Sequence, residues 1–294
     1  MEAAGKRWVV HGSRSDWFTL YGLGDCHLGS KSCSEHTLQH DIAIIEADPN
    51  ALWVGLGDYG EFVGRNDKRF NVGNVAPWLL PHIGELGKAT YDKILGYLDP
   101  IKDKCLGLAI GNHGQKIATL TDQGHLHSWL CVEMGVPNLQ YSGIFDLIFC
   151  RRPRVKNPKI VYEAPTAGSN TRFRVWYHHG YGGGRTKAGK VKKLIDQMSF
   201  VDANLFFMGH VHDRTGTDLP LLGADEECNK IVHKTRFGAI CGSYYRTYAS
   251  GTISYADQSG YPPTSLGMAK MRLLPEERYV EVVASFGNLE HESK

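Results

Sequence analysis

Five short apolar runs, spread along the chain, each end at a glycine that stands next to aspartate, asparagine or histidine. The runs are FTLYGLGDCHLG at 18–29, LWVGLGDYG at 52–60, LGLAIGNHG at 106–114, RVWYHHGYGGG at 174–184 and LFFMGHVHD at 205–213. Short apolar runs bounded by turn residues predict buried strands. Because sites in α/β sheets assemble beyond the carboxyl ends of strands, we expect these five endings to converge.

The order of the segments predicts two different sheets. In the first half, strands alternate with helical patterns at 34–50 and 85–100, and this β-α-β-α-β order is typical of a parallel sheet. After residue 138 most segments are strand-like, the last of them at 279–287, and one clear helix is predicted at about 187–199, which indicates a mixed or antiparallel sheet. With no evident linker, we expect a single domain over residues 1–294, built from two packed sheets with helices outside.

Composition narrows the class of protein. Apolar residues make up 42% and charged residues 22%, and a net charge of +2 excludes a polycation that binds nucleic acid by charge alone. No apolar run approaches the roughly 20 residues of a membrane span, and the N-terminus has no apolar core of signal-peptide length, so a cytoplasmic location is expected. Seven cysteines without Cys-x-x-Cys spacing argue against a disulfide framework and a thiolate zinc site.

Taken one at a time, the strand endings are weak signals, because an aspartate after glycine is usually a turn residue. Their succession is more specific: Asp-x-His, Gly-Asp, Gly-Asn-His, His-His-Gly and Gly-His-x-His follow one another between residues 25 and 212. In this order they resemble the motifs of the calcineurin-like metallophosphoesterase superfamily. The resemblance implies an α/β fold, a four-layer αββα sandwich of two mixed β-sheets flanked by helices, with a two-metal centre at its edge.

Carried over motif by motif, the resemblance implies a set of metal ligands. These are Asp25, His27 and His212 for one metal, Asn112, His210 and a histidine of the HHG segment for the other, and Asp58 bridging both. His178 is favoured over His179, because in several branches of the family the ligand precedes the final small residue by two positions. His113 would stand near the substrate, which makes His113 and Asp58 the catalytic candidates.

The implied cofactors are two divalent transition-metal ions. Imidazole with carboxylate and amide oxygen suits Mn, Fe, Zn, Ni or Co better than an all-oxygen magnesium site, and Mn is the first choice. The implied reaction is in-line attack on phosphorus by a metal-bridging hydroxide. His113 would protonate the leaving oxygen or steady the phosphoryl group. Gly114 follows where the family often has an acidic residue, so an acidic partner for His113 has to come from elsewhere.

A second Gly-His-x-His segment at 124–127 has the same letters in a different pattern. Apolar residues at 126, 129, 130 and 134 have helical spacing after a Thr-Asp cap at 121–122, so His125 and His127 are expected to diverge on a helix surface. At His210 and His212, by contrast, an extended backbone would put both side chains on one face. The same argument groups Asp25 with His27.

The segment after the fourth run indicates how a phosphate would be held. Three glycines lead to Arg185 and Lys187 at the start of the predicted helix, where exposed backbone amides and a helix N-terminus form an anion site. Tyr181, Tyr59 and Tyr244 are candidates for stacking on a base. A plain loop and ordinary packing of the tyrosines are the alternatives.

Three functions follow from these features. The expected binding partner is a phosphate-ester substrate or a larger assembly, and no membrane is expected. The first is a phosphodiesterase or nuclease acting on a nucleotide, DNA or RNA, which the basic segments RRPRVKNPK at 151–159 and GRTKAGKVKK at 184–193 favour. The second is a small-molecule phosphomonoesterase. The third is a catalytically silent metal-binding scaffold in a phage or host assembly, which the presence of every implied ligand disfavours. The motifs are most similar to those of tailed-phage and prophage members and of the DNA-repair exonuclease branch, so a phage-encoded protein in a host cytoplasm is one expectation.

Overall fold

A computed structural model describes residues 1–64, 67, 70–120, 125–225, 227–249 and 258–283. The strands are β1 (Glu2–His11), β2 (Phe18–Leu23), β3 (Ala51–Gly55), β4 (Cys105–Leu108), β5 (Ser142–Arg151), β6 (Lys159–Val161), β7 (Ser169–His178), β8 (Leu205–Met208), β9 (Thr215–Ala224), β10 (Ile231–Ile240), β11 (Ala269–Leu274) and β12 (Tyr279–Val283). The helices are α1 (Glu35–Ala47), α2 (Leu86–Leu98), α3 (Asn112–Leu120), α4 (Leu126–Glu133) and α5 (Lys187–Phe200). Short 3₁₀ segments lie at Val72–Asn74, Pro77–Glu85, Asp99–Lys104 and Pro275–Glu277.

The strands form two mixed sheets. The first sheet has the order β6-β1-β5-β7-β8-β10-β9, and the second has the order β12-β11-β2-β3-β4. Strands β2, β3 and β4 run parallel, as the β-α-β-α-β order predicts, and β7 and β8 are parallel neighbours in the first sheet. Parallel neighbours end at the same edge of a sheet, so this topology groups the loops after β2, β3 and β4, and likewise those after β7 and β8.

The two sheets pack face to face, and helices cover their outer faces. Val54 and Phe207 belong to the core between the sheets, whereas Trp53 and Phe206 belong to the two outer cores. Helices α1, α2 and α4 pack on the second sheet, and α5 packs on the first. Strands such as LFFM are buried on both faces, which explains why they are continuous apolar runs. The predicted α/β fold class with four αββα layers is confirmed.

Several elements were not predicted from the sequence, among them β1, β11 and α3, and the two strands change which half of the chain builds which sheet. Strand β11, which was not predicted, and β12, which was, return to the second sheet beside β2, so the C-terminal segment completes the sheet begun by the first half. Strand β1 pairs with β5 in the first sheet although its first five residues include no large apolar side chain. Helix α3 starts directly at the Gly-Asn-His motif, where glycine obscures the helical pattern. The strand predicted at 279–287 is described up to residue 283, and 284–287 lie outside the described residues.

Two expectations from composition can be compared with the structure. Within the described part of the chain, no helix is both long enough and apolar enough to cross a membrane. All seven cysteines are free, and all except Cys228 are buried. Cys26, next to Asp25, is part of the outer core of the second sheet, so it packs rather than faces the candidate ligands.

The core between the sheets is expected to carry much of the stability, and Phe207→Ala tests this. The Phe207 side chain is fully buried, so truncation should lower the free energy of unfolding by about 3–5 kcal/mol. Phe200→Ala is the matched control, because Phe200 is 70% exposed and its truncation should cost less than about 0.5 kcal/mol. Urea denaturation measures both values, and similar losses would contradict the assignment of Phe207 to the main core.

Candidate metal centre

The loops that follow β2, β3, β4, β7 and β8 meet at one edge of the two sheets. The amide of Asp25 donates to the carbonyl of Gly57 (2.9 Å), and the amide of His27 donates to the carbonyl of Asp58 (3.1 Å). The amide of His210 donates to Oδ2 of Asp25 (2.7 Å), which joins a loop of the first sheet to a loop of the second. The structure therefore brings the five strand endings together.

Five residues of these loops have a left-handed backbone. The φ angle is 51° at Asp25, 52° at His27, 49° at Asp58, 70° at His210 and 51° at His212. Residues other than glycine rarely adopt this region, although aspartate and histidine tolerate it better than bulky residues. The expectation of an extended backbone at Asp25, His27, His210 and His212 is wrong. The paired side chains still converge, because the chain turns at each of them instead of alternating between two faces.

Asp25, His27 and His212 form the first cluster, with one ligand atom of each residue within 4.8 Å of the others. The Nε2 atoms of His27 and His212 lie 3.2 Å apart, and Nε2 of His212 lies 3.3 Å from Oδ1 of Asp25. That Oδ1 atom is buried and makes no hydrogen bond to any described residue. Two imidazole nitrogens and a buried carboxylate oxygen that converge in this way fit a divalent transition metal.

Asp58, His179 and His210 form the second cluster. Nε2 of His179 lies 3.2 Å from Oδ2 of Asp58 and 2.8 Å from Oδ1 of Asn112. The other ring nitrogen of His179, Nδ1, lies 2.7 Å from the carbonyl oxygen of Leu56 and donates to it. A hydrogen bond of this kind orients a metal-binding histidine and leaves Nε2 for the ion. Asp58 is grouped with this cluster, and its bridging role stays a prediction.

The structure corrects the choice between the two adjacent histidines. His179 lies in the second cluster, whereas Nδ1 of His178 accepts a hydrogen bond from the amide of Gly180 (2.7 Å) and its ring packs against Tyr141. Strand β7 ends at His178, so the two side chains point in different directions. His179 is therefore the candidate ligand, and His178 supports the turn that follows.

Charge pairing accompanies the burial of the two carboxylates. Burial alone raises the pKa of Asp25 and Asp58, but His212 beside Asp25 and His179 beside Asp58 shift both pKa values below the usual range. Burial lowers the pKa of His179, and the Asp58 carboxylate outweighs this effect and raises that pKa to about 9. Protonated histidine thus balances buried negative charge, which is a role that a divalent cation also fulfils. His210 differs, because burial lowers its pKa to about 4.

Glu61 supports two histidines and was not predicted from the sequence. Its Oε2 atom lies 2.6 Å from Nδ1 of His27 and 3.8 Å from Nδ1 of His113, and its backbone carbonyl accepts a hydrogen bond from the latter. Such contacts hold the ring orientation and leave Nε2 for a metal or a substrate. Glu61 is the acidic partner that Gly114 does not provide. The sequence has an acidic residue three positions after Asp58, but nothing there indicates that it turns back toward these rings.

Two of the tyrosines that were expected to contact a substrate are buried in the core. Tyr59 is 3% exposed and stacks on His127, with ring centroids 6.4 Å apart. Tyr244 is fully buried, and its hydroxyl donates to Oδ2 of Asp41 (2.8 Å). Neither side chain can stack on a base, so this expectation is corrected for both. Tyr59 follows Asp58 directly, and its side chain enters the apolar layer under the helices.

The other predicted substrate contacts lie on an accessible segment that follows His179 in the chain. Tyr181 is 39% exposed, the Arg185 guanidinium lies 5.7 Å from the ring centroid of Tyr261, and Nζ of Lys187 lies 3.9 Å from Oδ1 of Asp213. The loop is held near the centre at Gly180, where an added Cβ would approach the Gly209 carbonyl to 2.4 Å. Binding of a phosphate by Tyr181, Arg185 and Lys187 stays a prediction.

The second Gly-His-x-His segment forms a helix start, as predicted. Helix α4 begins at Leu126, and His125 is exposed while His127 is 4% exposed. Burial lowers the pKa of His127 to about 4, and its Nε2 lies 3.7 Å from Sγ of Cys131. The two histidines diverge as expected, but the surface position expected for His127 is wrong. The predicted cap at 121–122 lies outside the described residues.

Comparison with known proteins adds little to this geometry. No protein-family model and no curated protein matches the sequence. A structural match covers 92% of this chain and 100% of the other chain, a crystal structure of a Vps29 double mutant from Entamoeba histolytica, with 12% sequence identity and a TM-score of 0.36. A similarity of this degree carries no inference about activity, so the functional argument rests on the residues of the centre.

Gly111→Ala tests whether the close approach of two loops builds the centre. A Cβ at Gly111 would lie 2.1 Å from Oδ1 and 2.4 Å from the backbone nitrogen of Asp58, so alanine has to displace the Asp58 loop. We expect the affinity for Mn²⁺, measured by titration calorimetry, to fall by about 10–100-fold.

Gly96→Ala is the matched control for Gly111→Ala. Gly96 lies inside α2, and an added Cβ would meet nothing within 4 Å. This variant should bind Mn²⁺ like the original protein and gain about 0.5–1 kcal/mol of stability. Equal Mn²⁺ affinities for the two variants would show that contact between Gly111 and Asp58 does not shape the site.

Proposed function

We propose that this chain is a two-metal phosphoesterase of the calcineurin-like metallophosphoesterase superfamily, and that it cleaves phosphodiesters of nucleotides or nucleic acids. The observation that carries the proposal is the convergence of two donor clusters from four separate strand endings, those of β2, β3, β7 and β8. One is Asp25 with His27 and His212, and the other is Asp58 with His179 and His210. Two adjacent clusters of buried imidazole and carboxylate donors are typical of sites that hold two metal ions.

The donor set also supports a particular group of metals. Imidazole nitrogens outnumber carboxylate oxygens in both clusters, which favours Mn, Fe, Zn, Ni or Co over Mg or Ca. Asn112 would join the second cluster through Oδ1, and Asp58 would be shared between the ions. When bound, two such ions would neutralise phosphate charge and lower the pKa of a water molecule.

His113 is suited to exchange a proton with the leaving oxygen. Its Nδ1 donates to the Glu61 carbonyl, which assigns Nε2 as the atom available for proton transfer. The Glu61 carboxylate lies 3.8 Å from the same Nδ1 atom. The amide of His113 donates to Oδ1 of Asp58 (2.8 Å), so the ring is fixed relative to the second cluster.

The exposed side chains of Arg185 and Lys187 support a diester of a nucleotide or nucleic acid, because they place positive charge on the segment that follows His179. Tyr59 and Tyr244 no longer contribute to this argument, since both are buried. The phage and DNA-repair exonuclease branches and a cytoplasmic location belong to the same proposal. A small-molecule monoesterase and a silent scaffold are the outcomes that would replace it.

An activity screen with added Mn²⁺, Ni²⁺ or Co²⁺ tests the proposal. The substrates are bis(4-nitrophenyl) phosphate, 4-nitrophenyl phosphate, cyclic nucleotides, and single- and double-stranded DNA. We expect metal-dependent cleavage of the diesters and loss of activity in EDTA. Hydrolysis of the monoester alone would exclude the diesterase, and metal binding without hydrolysis of any substrate would favour the scaffold.

Two substitutions separate metal binding from proton transfer. Asp58→Asn should lose Mn²⁺ binding and activity together, because the carboxylate of the second cluster is removed. His113→Ala should keep Mn²⁺ binding and lose about 10²–10⁴-fold in kcat, which is the usual contribution of a general acid. The exposed His125 provides the control, since His125→Ala should change neither. Unchanged kcat in His113→Ala would remove that residue from the mechanism.

A further inference from the structure

A cavity of about 240 Å³ opens beside the candidate metal centre. His27, His113 and His212 contribute to its lining, so it adjoins the first cluster and the candidate proton donor. The apolar lining residues are Phe62, Val63, Phe70, Val75, Leu79 and Leu86. An ester with its phosphorus at the histidines and its leaving oxygen near His113 would therefore extend its leaving group into an apolar space.

The charged and titratable side chains that line the cavity all belong to the candidate metal centre or contact it. They are the three histidines and Glu61, which is hydrogen-bonded to His27. Among the described lining residues there is no lysine and no arginine. An uncharged ring gains free energy there by contact with aromatic and aliphatic side chains. The amide of Asn71 adds a hydrogen-bonding group to this lining.

Phe62 forms part of the cavity wall in a conformation that is rare for a bulky residue. Its φ angle is 49°, in the left-handed region. The ring is held in place by stacking on Tyr91, with centroids 4.8 Å apart, and by Gly60, where an added Cβ would lie 2.6 Å from Cζ of Phe62. Strained residues persist where their surroundings fix them, and they cluster at ligand sites. This part of the cavity wall is therefore preformed. It belongs to the same turn as Glu61, which contacts the histidines.

We propose that this cavity binds the leaving group of the ester and selects leaving groups that carry a flat, uncharged ring. A nucleoside and an aryl alcohol share this chemistry. The inference rests on the proposed phosphoesterase function and specifies its substrate class. Phe62 and Val63, which directly follow Glu61 in the chain, and Phe70 are the lining residues that would determine the specificity.

Direct binding tests the cavity without any metal. Adenosine, thymidine and 4-nitrophenol serve as probes in the presence of EDTA, with saturation-transfer NMR as the readout. We expect the rings to bind the original protein, and Val63→Trp, which fills the cavity, to abolish the signal. Binding of the nucleosides identifies a nucleoside as the leaving group, and binding of 4-nitrophenol alone identifies an aryl alcohol.

Val72→Trp is the matched control for Val63→Trp. Val72 is 57% exposed, lies in the same segment and does not line the cavity, so its substitution should leave ring binding unchanged. Val63→Asp is a second variant, which introduces charge without filling the space, and Val72→Asp is its control. Absence of ring binding to the original protein, or equal binding in all five proteins, overturns the proposal. Because EDTA removes metals, this result is independent of whether the protein hydrolyses esters.

Kinetics with added Mn²⁺ test the same selection during turnover. Methyl phenyl phosphate and methyl hexafluoroisopropyl phosphate have leaving alcohols of similar acidity, but only the first carries a ring. We expect kcat/KM to favour the phenyl ester by about 10-fold or more in the original protein and in Val72→Trp. The preference should disappear in Val63→Trp. Hydrolysis of both esters without a preference overturns the cavity assignment and leaves the phosphoesterase proposal intact. Ring binding without hydrolysis of either ester overturns the phosphoesterase proposal and leaves the cavity as a binding site for rings.

Discussion

The two buried carboxylates, Asp25 and Asp58, hold the candidate centre together through backbone hydrogen bonds. Asp25 accepts from the amide of His210, and Asp58 accepts from the amide of His113. In each case one oxygen fixes a neighbouring loop while the other lies near histidine nitrogens. A buried carboxylate needs such partners, because an unpaired buried charge costs several kcal/mol. The same two side chains therefore align the strand endings and bury negative charge that a metal cation would stabilise.

This arrangement requires two loops to approach closely and the backbone to adopt positive φ angles, which most residues other than glycine disfavour. Gly57 has a φ angle of 93°, and a Cβ on it would approach the amide nitrogen of Gly111 to 2.5 Å. Asp58 follows directly with a left-handed φ angle of its own. Glycine next to aspartate at this strand ending is thus a steric requirement as well as a turn signal. The glycines of the strand endings were informative in the sequence because they mark the places where two loops come into contact.

The periodicity of the chain predicted the layers, and the order of the motifs predicted which loops meet. Neither the periodicity nor the motif order predicted the orientation of individual side chains, because that orientation depends on local turns. His179 rather than His178 enters the second cluster because strand β7 ends between them. Tyr59 is buried because the left-handed Asp58 redirects the chain into the helical layer. The contacts of Glu61 with two histidines could not be predicted for the same reason, since Glu61 lies in a turn that has no regular periodicity.

The surroundings of the centre differ in polarity, and this difference would orient the proposed substrate. The exposed segment with Arg185 and Lys187, which follows His179, offers positive charge, whereas the cavity behind Phe62 offers apolar contact beside the first cluster. A phosphodiester has one charged phosphorus centre and two unlike arms. Its more apolar arm gains free energy in the cavity, and an arm that carries further phosphates gains it near the cationic loop. Because His113 lines the cavity, the apolar arm is the one whose oxygen can receive a proton. The polarity of the walls, rather than the metals, would thus decide which of the two ester bonds is broken.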